Sequence, residues 1–421
     1  MPWAAGGFVG VMTGLRLYDT LSEETKEFEP AGPTVSIYVC GITPYDAMHL
    51  GHAFTFASFD VLIRYLRYLG HDVRYVQNIT DIDDPLFAKA KQLGMSYQDL
   101  AARETEQYLA DTQALNILPA EVYPRASGEI AGMITLVRQL LDAGHAYQVG
   151  GSVYFSISSD PDYGILSKYS RDRMIALARE RGGDPDDPHR RDPLDFVLWR
   201  PSSPGEPSMA SPWGEGLPGW HLECSAMSLK YLEAPLDVHG GGSDLIFPHH
   251  ENEIAQSETV TGIHPLARHW MHTGMVFMDG EKMSKSLGNM VFARHLVPRY
   301  GADAVRLYLS GCHYRANLNW DEAALKQSQD LARDLAEVVT PTAPGPQSVL
   351  DAPLYRDRFR DRMNEDLDTP GAIAVLRDLA DAIRSDSASV NDVTPAQSVM
   401  RELSGVLGLR LDGARVASPH V

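Results

Sequence analysis

Residues 34–52 read TVSIYVCGITPYDAMHLGH, and this stretch decides the fold. Residues 34–40 (TVSIYVC) are a β-rich run followed by Gly41. Apolar residues then recur at helical spacing from about 45 to 69, and residues 73–78 (VRYVQN) read as a second strand. A strand–helix–strand unit implies a parallel sheet and an α/β, Rossmann-like domain. Farther along, residues 236–239 read as another strand leading into Gly240, Gly241 and Gly242.

Working outward, residues 125 to 205 read as an insertion. It holds a helix at 128–143, a strand-like patch at 152–157, a helix near 173–181 and a Gly/Asp/Pro-rich loop at 182–193. Residues 202–219 form another Pro/Gly/Ser-rich loop, and from about 302 the pattern is helical, broken by a Pro-rich segment at 341–346. The expected organisation is a catalytic first half (13–124), an inserted connective segment (125–205), a catalytic second half (206–301) and an α-helical domain (302–421).

A formal net charge of −19 supplies no global basic field to draw in nucleic acid, although a local basic groove is compatible with it. Residues 1–12 are apolar but lack the basic start and long apolar core of a signal peptide, and Met12 is a second candidate initiator. No stretch approaches the roughly 20 apolar residues of a membrane span. Three cysteines, Cys40, Cys224 and Cys312, are too few and too odd in number for a disulfide framework. A cytoplasmic protein with no membrane partner is expected.

Two short motifs carry nucleotide chemistry. His49-Leu50-Gly51-His52 falls early in the helix after the first strand, where residues three apart share a face and free N–H groups meet an anion. Lys282-Met283-Ser284-Lys285-Ser286 follows the turn signal Asp279-Gly280, so both lysines sit on a loop able to close over a triphosphate. Cys40, Cys224, His249 and Glu253 form a donor set suited to Zn²⁺. They are far apart in sequence, and on spacing alone buried cysteines and a structural histidine pair are the better reading.

The HLGH and KMSKS pair, in that order, resembles the signature of class I aminoacyl-tRNA synthetases and related adenylate-forming ligases. The wider pattern is similar to cysteinyl-tRNA synthetases: YVCGIT (38–43), NITDIDD (78–84), PGWHLECSAM (218–227) and HGGGSDLIFPHHENE (239–253). The resemblance implies one zinc in the amino-acid pocket, bound by Cys40, Cys224, His249 and, as a fourth, Glu253, and taking up the substrate thiol. It also implies ATP with Mg²⁺ as substrate and L-cysteine as the activated amino acid. His49, His52, Lys282 and Lys285 would act on the phosphates. Cys40, Gly41, Ile42, Thr43, Thr55, Asn78, Ile79 and Thr80 would line the adenylate pocket. Trp220 would pack beside cysteine, Gly242, Ser243 and Asp244 would approach the ribose, and the backbone near Val276 would meet adenine. Zinc prefers a soft thiolate to an alcohol, which would separate cysteine from serine.

Two ligase types share this core. ERGGDP (180–185), TPYD (43–46), Phe54 after the HLGH motif and Pro85-Leu86-Phe87 resemble the mycothiol-pathway ligases that join cysteine to the amine of glucosaminyl-inositol. The chain also stops at Val421 without the basic segment with which the synthetases continue. PLDFVLW (193–199), KMSKSLGN and Glu253 resemble the synthetases. The expected function is therefore cysteine transfer to glucosaminyl-inositol, with tRNA charging as the alternative and an inactive cysteine- or zinc-binding paralogue as the lesser one. The aminosugar pocket is expected between residues 180–185 and the helical tail.

Overall fold

Val35, Ile37 and Val39 pack on one side of their strand and Tyr38 and Cys40 on the other, all buried, so the strand has no solvent face. That is the signature of a parallel strand covered on both faces. In the computed structural model, which describes residues 14–283, 288–341, 345–346, 350–389 and 391–412, this strand spans Thr34–Ile42. It sits inside a four-stranded parallel sheet ordered Ala267–Thr273, Leu236–Gly242, Thr34–Ile42, Asp72–Ile79. The helix Leu50–Tyr68 crosses from Thr34–Ile42 to Asp72–Ile79. It starts later than the expected residue 45 because His49 is its N-cap, with Nδ1 accepting from the His52 N–H.

After Asp72–Ile79 the chain leaves the sheet and returns on the opposite side of Thr34–Ile42 as Leu236–Gly242. The order therefore reverses between these two strands, and their carboxyl ends open the crevice where ligands bind in such folds. Cys40 to Thr43 and Gly240 to Gly242 lie at that crevice.

The inserted segment builds its own antiparallel sheet from Ala146–Val149, Ser152–Phe155, Phe196–Pro201 and Gly216–Pro218. This sheet runs past the expected boundary at 205. Gly216–Pro218 reads as loop because Gly and Pro seldom occupy strands, but it is an edge strand, where proline is tolerated. A hairpin of Arg16–Asp19 with Glu24–Glu27 precedes the catalytic sheet. Its buried Asp19 accepts from the Trp270 N–H and from Lys26 Nζ, fastening the hairpin to the outer core strand.

The helical part contains Ala302–Ser310, Glu322–Val338, Ala352–Asn364, Thr369–Ala388 and Thr394–Val406. Arg306, 1% exposed, joins it to the catalytic core. Its guanidinium reaches Asp60 Oδ2 at 2.5 Å, the Leu407 carbonyl at 2.7 Å and the Leu115 carbonyl at 3.1 Å. Phe54 is 1% exposed and belongs to the same core. None of the helices among the described residues is long and apolar enough to cross a membrane.

Candidate active site

Strand pairing slips between Val39 and Ile42, and the resulting bulge lets Gly41 donate its N–H to Asn78 Oδ1 at 2.8 Å. A Cβ on Gly41 would stand 1.8 Å from the Asn78 carbonyl oxygen, so only glycine allows this close approach. Asn78 Nδ2 donates to Thr80 Oγ1, which fixes the amide. Thr43 Oγ1 donates to Asp83 Oδ2 at 3.1 Å, and burial pushes the Asp83 carboxyl up to about 6. Ile42 and Ile79 pair across the two strands.

Cys40 Sγ faces the side of the sheet away from the Leu50–Tyr68 helix. Cys224 comes to it from the helix Trp220–Tyr231. His249 lies in the kinked turn Ile246–His250, where Phe247 is non-helical, and Glu253 lies in the first turn of Glu251–Thr261. Their ligand atoms all lie within 4.8 Å of one another, and all four residues are buried. Zinc bonds of about 2.3 Å to sulfur and about 2.0 Å to oxygen give tetrahedral edges of about 3.8 Å (S–S) and about 3.5 Å (S–O). The observed Cys40–Cys224 and Cys40–Glu253 separations are 3.8 and 3.5 Å. His249 Nε2 lies 3.0 Å from Glu253 Oε1, so the imidazole and the carboxylate converge on the same point as the two sulfurs. The residues fit a tetrahedral zinc.

Charge in the cluster is shared among the four donors. Burial raises the Cys224 thiol, but the hydrogen bond from Cys40 and the adjacent His249 outweigh it and bring it down to about 6. Burial works against a charged His249, yet Glu253 and Cys224 push it up to about 10. Glu253 is held well below the carboxylate range, against its burial, by His239 and His249. Cys40 is pushed well up by burial and by Cys224.

A second layer holds the donors. His239 Nε2 meets Glu253 Oε2 at 2.9 Å, and His221 Nδ1 meets His249 Nδ1 at 2.9 Å. His250 Nε2 meets Cys40 Sγ at 3.2 Å, and its Nδ1 meets His272 Nε2 at 2.7 Å. Partners of this kind orient metal ligands. His239→Gln is expected to weaken zinc binding by roughly 10–100-fold while leaving the fold intact. Competition with a graded chelator measures it, and unchanged affinity would make His239 a packing residue only. Sequence reading passed over this layer, since spacing gives no sign of which histidines face one another. The one available signal was His239 within a core strand, just before the Gly240–Gly242 run.

Of the residues expected at the nucleotide, His49 and His52 lie at the start of the helix Leu50–Tyr68. His49 and His52 stack with ring centroids 3.6 Å apart. Thr55 Oγ1 lies 2.8 Å from Thr273 Oγ1. Gly242 ends its strand and Ser243 and Asp244 form the following turn, where Asp244 Oδ2 pairs with Lys282 Nζ at 3.1 Å. Val276 begins the strand Val276–Met278, and its carbonyl accepts from the Met283 N–H. Lys285 lies outside the described residues.

Beside the cysteine pair is a cavity of about 580 Å³. Trp220, whose ring lies 4.2 Å from that of His249 at a tilt, forms part of its wall, as do Thr43, Asp83 and Glu223. Arg181, Gly182 and Gly183 close it from the insertion, with Arg181 Nη1 donating to the Asp244 and Phe247 carbonyls. The opposite wall belongs to the catalytic core. Among the described residues, none from the helical tail lines this cavity.

The model of the class I (C) tRNA synthetase catalytic domain matches residues 27–330, and that of the DALR domain matches 358–412. A cysteine–tRNA ligase of Dehalococcoides mccartyi is 44% identical over 400 residues, covering 94% of this chain and 86% of that relative. One from Photorhabdus laumondii is 46% identical over 399 residues, covering 94% and 85%. Among solved structures, Mycobacterium tuberculosis methionyl-tRNA synthetase in complex with methionyl-adenylate superposes with a TM-score of 0.63 at 19% identity, covering 89% of this chain and 90% of that one. That last likeness speaks to the fold.

Proposed function

The chain belongs to the class I (C) tRNA synthetase family, and from that premise we propose that it activates L-cysteine with ATP and transfers the cysteinyl group to tRNA. Formation of an aminoacyl-adenylate at the expense of ATP is the chemistry of this family. The observation that carries the cysteine assignment is the buried set of Cys40, Cys224, His249 and Glu253 beside the crevice. When bound, zinc would supply a soft Lewis acid that takes a thiol in preference to a hydroxyl.

The cysteine carboxylate attacks the α-phosphorus of ATP and pyrophosphate leaves. A ribose hydroxyl then attacks the adenylate carbonyl, and AMP leaves. The first step is mainly positioning and charge stabilisation. His49 and His52, at the start of their helix, and Lys282 are the groups assigned to the phosphates. The identity to cysteine–tRNA ligases across 94% of the chain supports tRNA as acceptor, in preference to the aminosugar favoured by short motifs alone.

One observation favours a second reading. Arg181, Gly182 and Gly183, within the 180–185 motif that resembles the mycothiol-pathway ligases, wall the cavity, which has room for a small acceptor such as glucosaminyl-inositol. Purified protein decides the matter. Pyrophosphate exchange into ATP is expected with cysteine and not with serine. With tRNA supplied, cysteinyl-tRNA is expected, and with glucosaminyl-inositol no amide. Amide without charged tRNA would install the second reading, and exchange with serine equal to that with cysteine would remove the cysteine assignment.

A further inference from the structure

Cysteine carries three polar groups. On the reading just given, on which this inference rests, the thiol goes to the metal ligands and the carboxylate to ATP. The ammonium group remains to be received. Glu223 directly precedes Cys224, is 1% exposed, and lines the cavity beside Trp220. Thr80 is a hydrogen-bond partner of its carboxyl, but Oε2 has no partner at all. Asp83, held by Thr43 and by the Asp84 N–H, lines the same cavity.

The cavity's arginines are committed elsewhere. Arg200 pairs with Asp84 and Glu206, Arg181 donates to backbone carbonyls, and Arg190 donates to the Asp195 carbonyl. Glu223 and Asp83 thus face the cavity without a salt bridge among the described residues. A buried acidic oxygen with no partner is costly unless something brings it one. Here that something must enter through the cavity and must donate hydrogen bonds. A substrate anchored by sulfur at Cys224's neighbour position carries its ammonium only two bonds from the thiol-bearing carbon.

We propose that Glu223, backed by Asp83, receives the α-ammonium group of the substrate amino acid and so selects an α-amino thiol over a plain thiol acid. The role is one of binding and positioning, with no proton transfer.

Calorimetry without ATP on the zinc-loaded protein tests it, using cysteine and 3-mercaptopropionate, which keeps the thiol and carboxylate but lacks the ammonium. The wild type is expected to bind cysteine more tightly. In Glu223→Gln, cysteine affinity is expected to fall roughly 10–100-fold, the worth of a charge-assisted hydrogen bond, with 3-mercaptopropionate affinity unchanged. Equal loss for both ligands, or no loss, overturns the inference. Zinc content is measured alongside. If Glu223→Gln does not retain zinc, Asp83→Asn decides by the same criterion: a selective loss for cysteine supports the inference and an unselective one overturns it. A wild type that binds cysteine no better than 3-mercaptopropionate also overturns it while leaving the cysteine reading standing. A wild type that binds neither removes that reading, and the inference with it.

Discussion

Cys224→Ser protein is expected to purify with almost no zinc and to show no cysteine-dependent pyrophosphate exchange. Serine is nearly isosteric with cysteine, and residue 224 is 1% exposed, so the packing of its helix is preserved. What changes is the ligand. The surroundings bring the Cys224 thiol down to about 6, so a thiolate is at hand near neutral pH. A hydroxyl there stays protonated and binds zinc poorly. The loss should exceed the roughly 10–100-fold expected for an outer-layer partner. Metal analysis and exchange assays are run on the same preparation, with circular dichroism to establish folding. A folded variant holding one zinc per chain and exchanging normally would remove the metal centre from the proposal.

Asp60→Ala is expected to destabilise the protein by about 3–5 kcal/mol, the usual consequence of stranding one member of a buried ion pair. Asp60 and Arg306 are each 1% exposed, and Asp60 also receives Arg64 Nε at 2.8 Å and the Leu118 N–H at 2.8 Å. Removing the carboxylate leaves a guanidinium in the core with three backbone carbonyls for company. At about 2–4 °C per kcal/mol, the melting midpoint should drop by roughly 10 °C. Replacing both partners, Asp60→Leu with Arg306→Met, should recover most of the loss, because the desolvated charge goes too. A midpoint unchanged in Asp60→Ala would mean that water reaches the pair.

The catalytic sheet was legible because its strands are short apolar runs closed by glycine, as in TVSIYVC-Gly41. The donor set was legible only through whole motifs. Cys40 and Cys224 are 184 residues apart, and nothing in that interval announces that they meet. Elements that hide from pattern reading do so for plain reasons. The strand Glu24–Glu27 is ETKE, with no apolar residue, and forms because its partner strand and Asp19 hold it. Gly216–Pro218 looks like a turn and pairs as an edge strand. The partners His239 and His272 are fixed by sheet register: Trp270 pairs with His239 and His272 with Gly241 across neighbouring strands. Register depends on which strands are neighbours, which one chain read alone does not disclose. The wall that residues 181–183 give the cavity is hidden for the same reason, since the lie of the insertion over the crevice follows from contacts with the core.

The donor set draws on a strand, two helices and a kinked turn, and Cys40 meets a carboxylate 213 residues downstream. During synthesis, then, the first thiol emerges from the ribosome long before its companions, and for most of that interval the nascent polypeptide owns a lone cysteine and no chelating pocket. Only when the segment bearing residues 249 to 253 has cleared the exit tunnel can the cage close. On the zinc proposal, metal capture would be a late event in the life of the nascent chain, and it would wait until both halves of the domain have found each other.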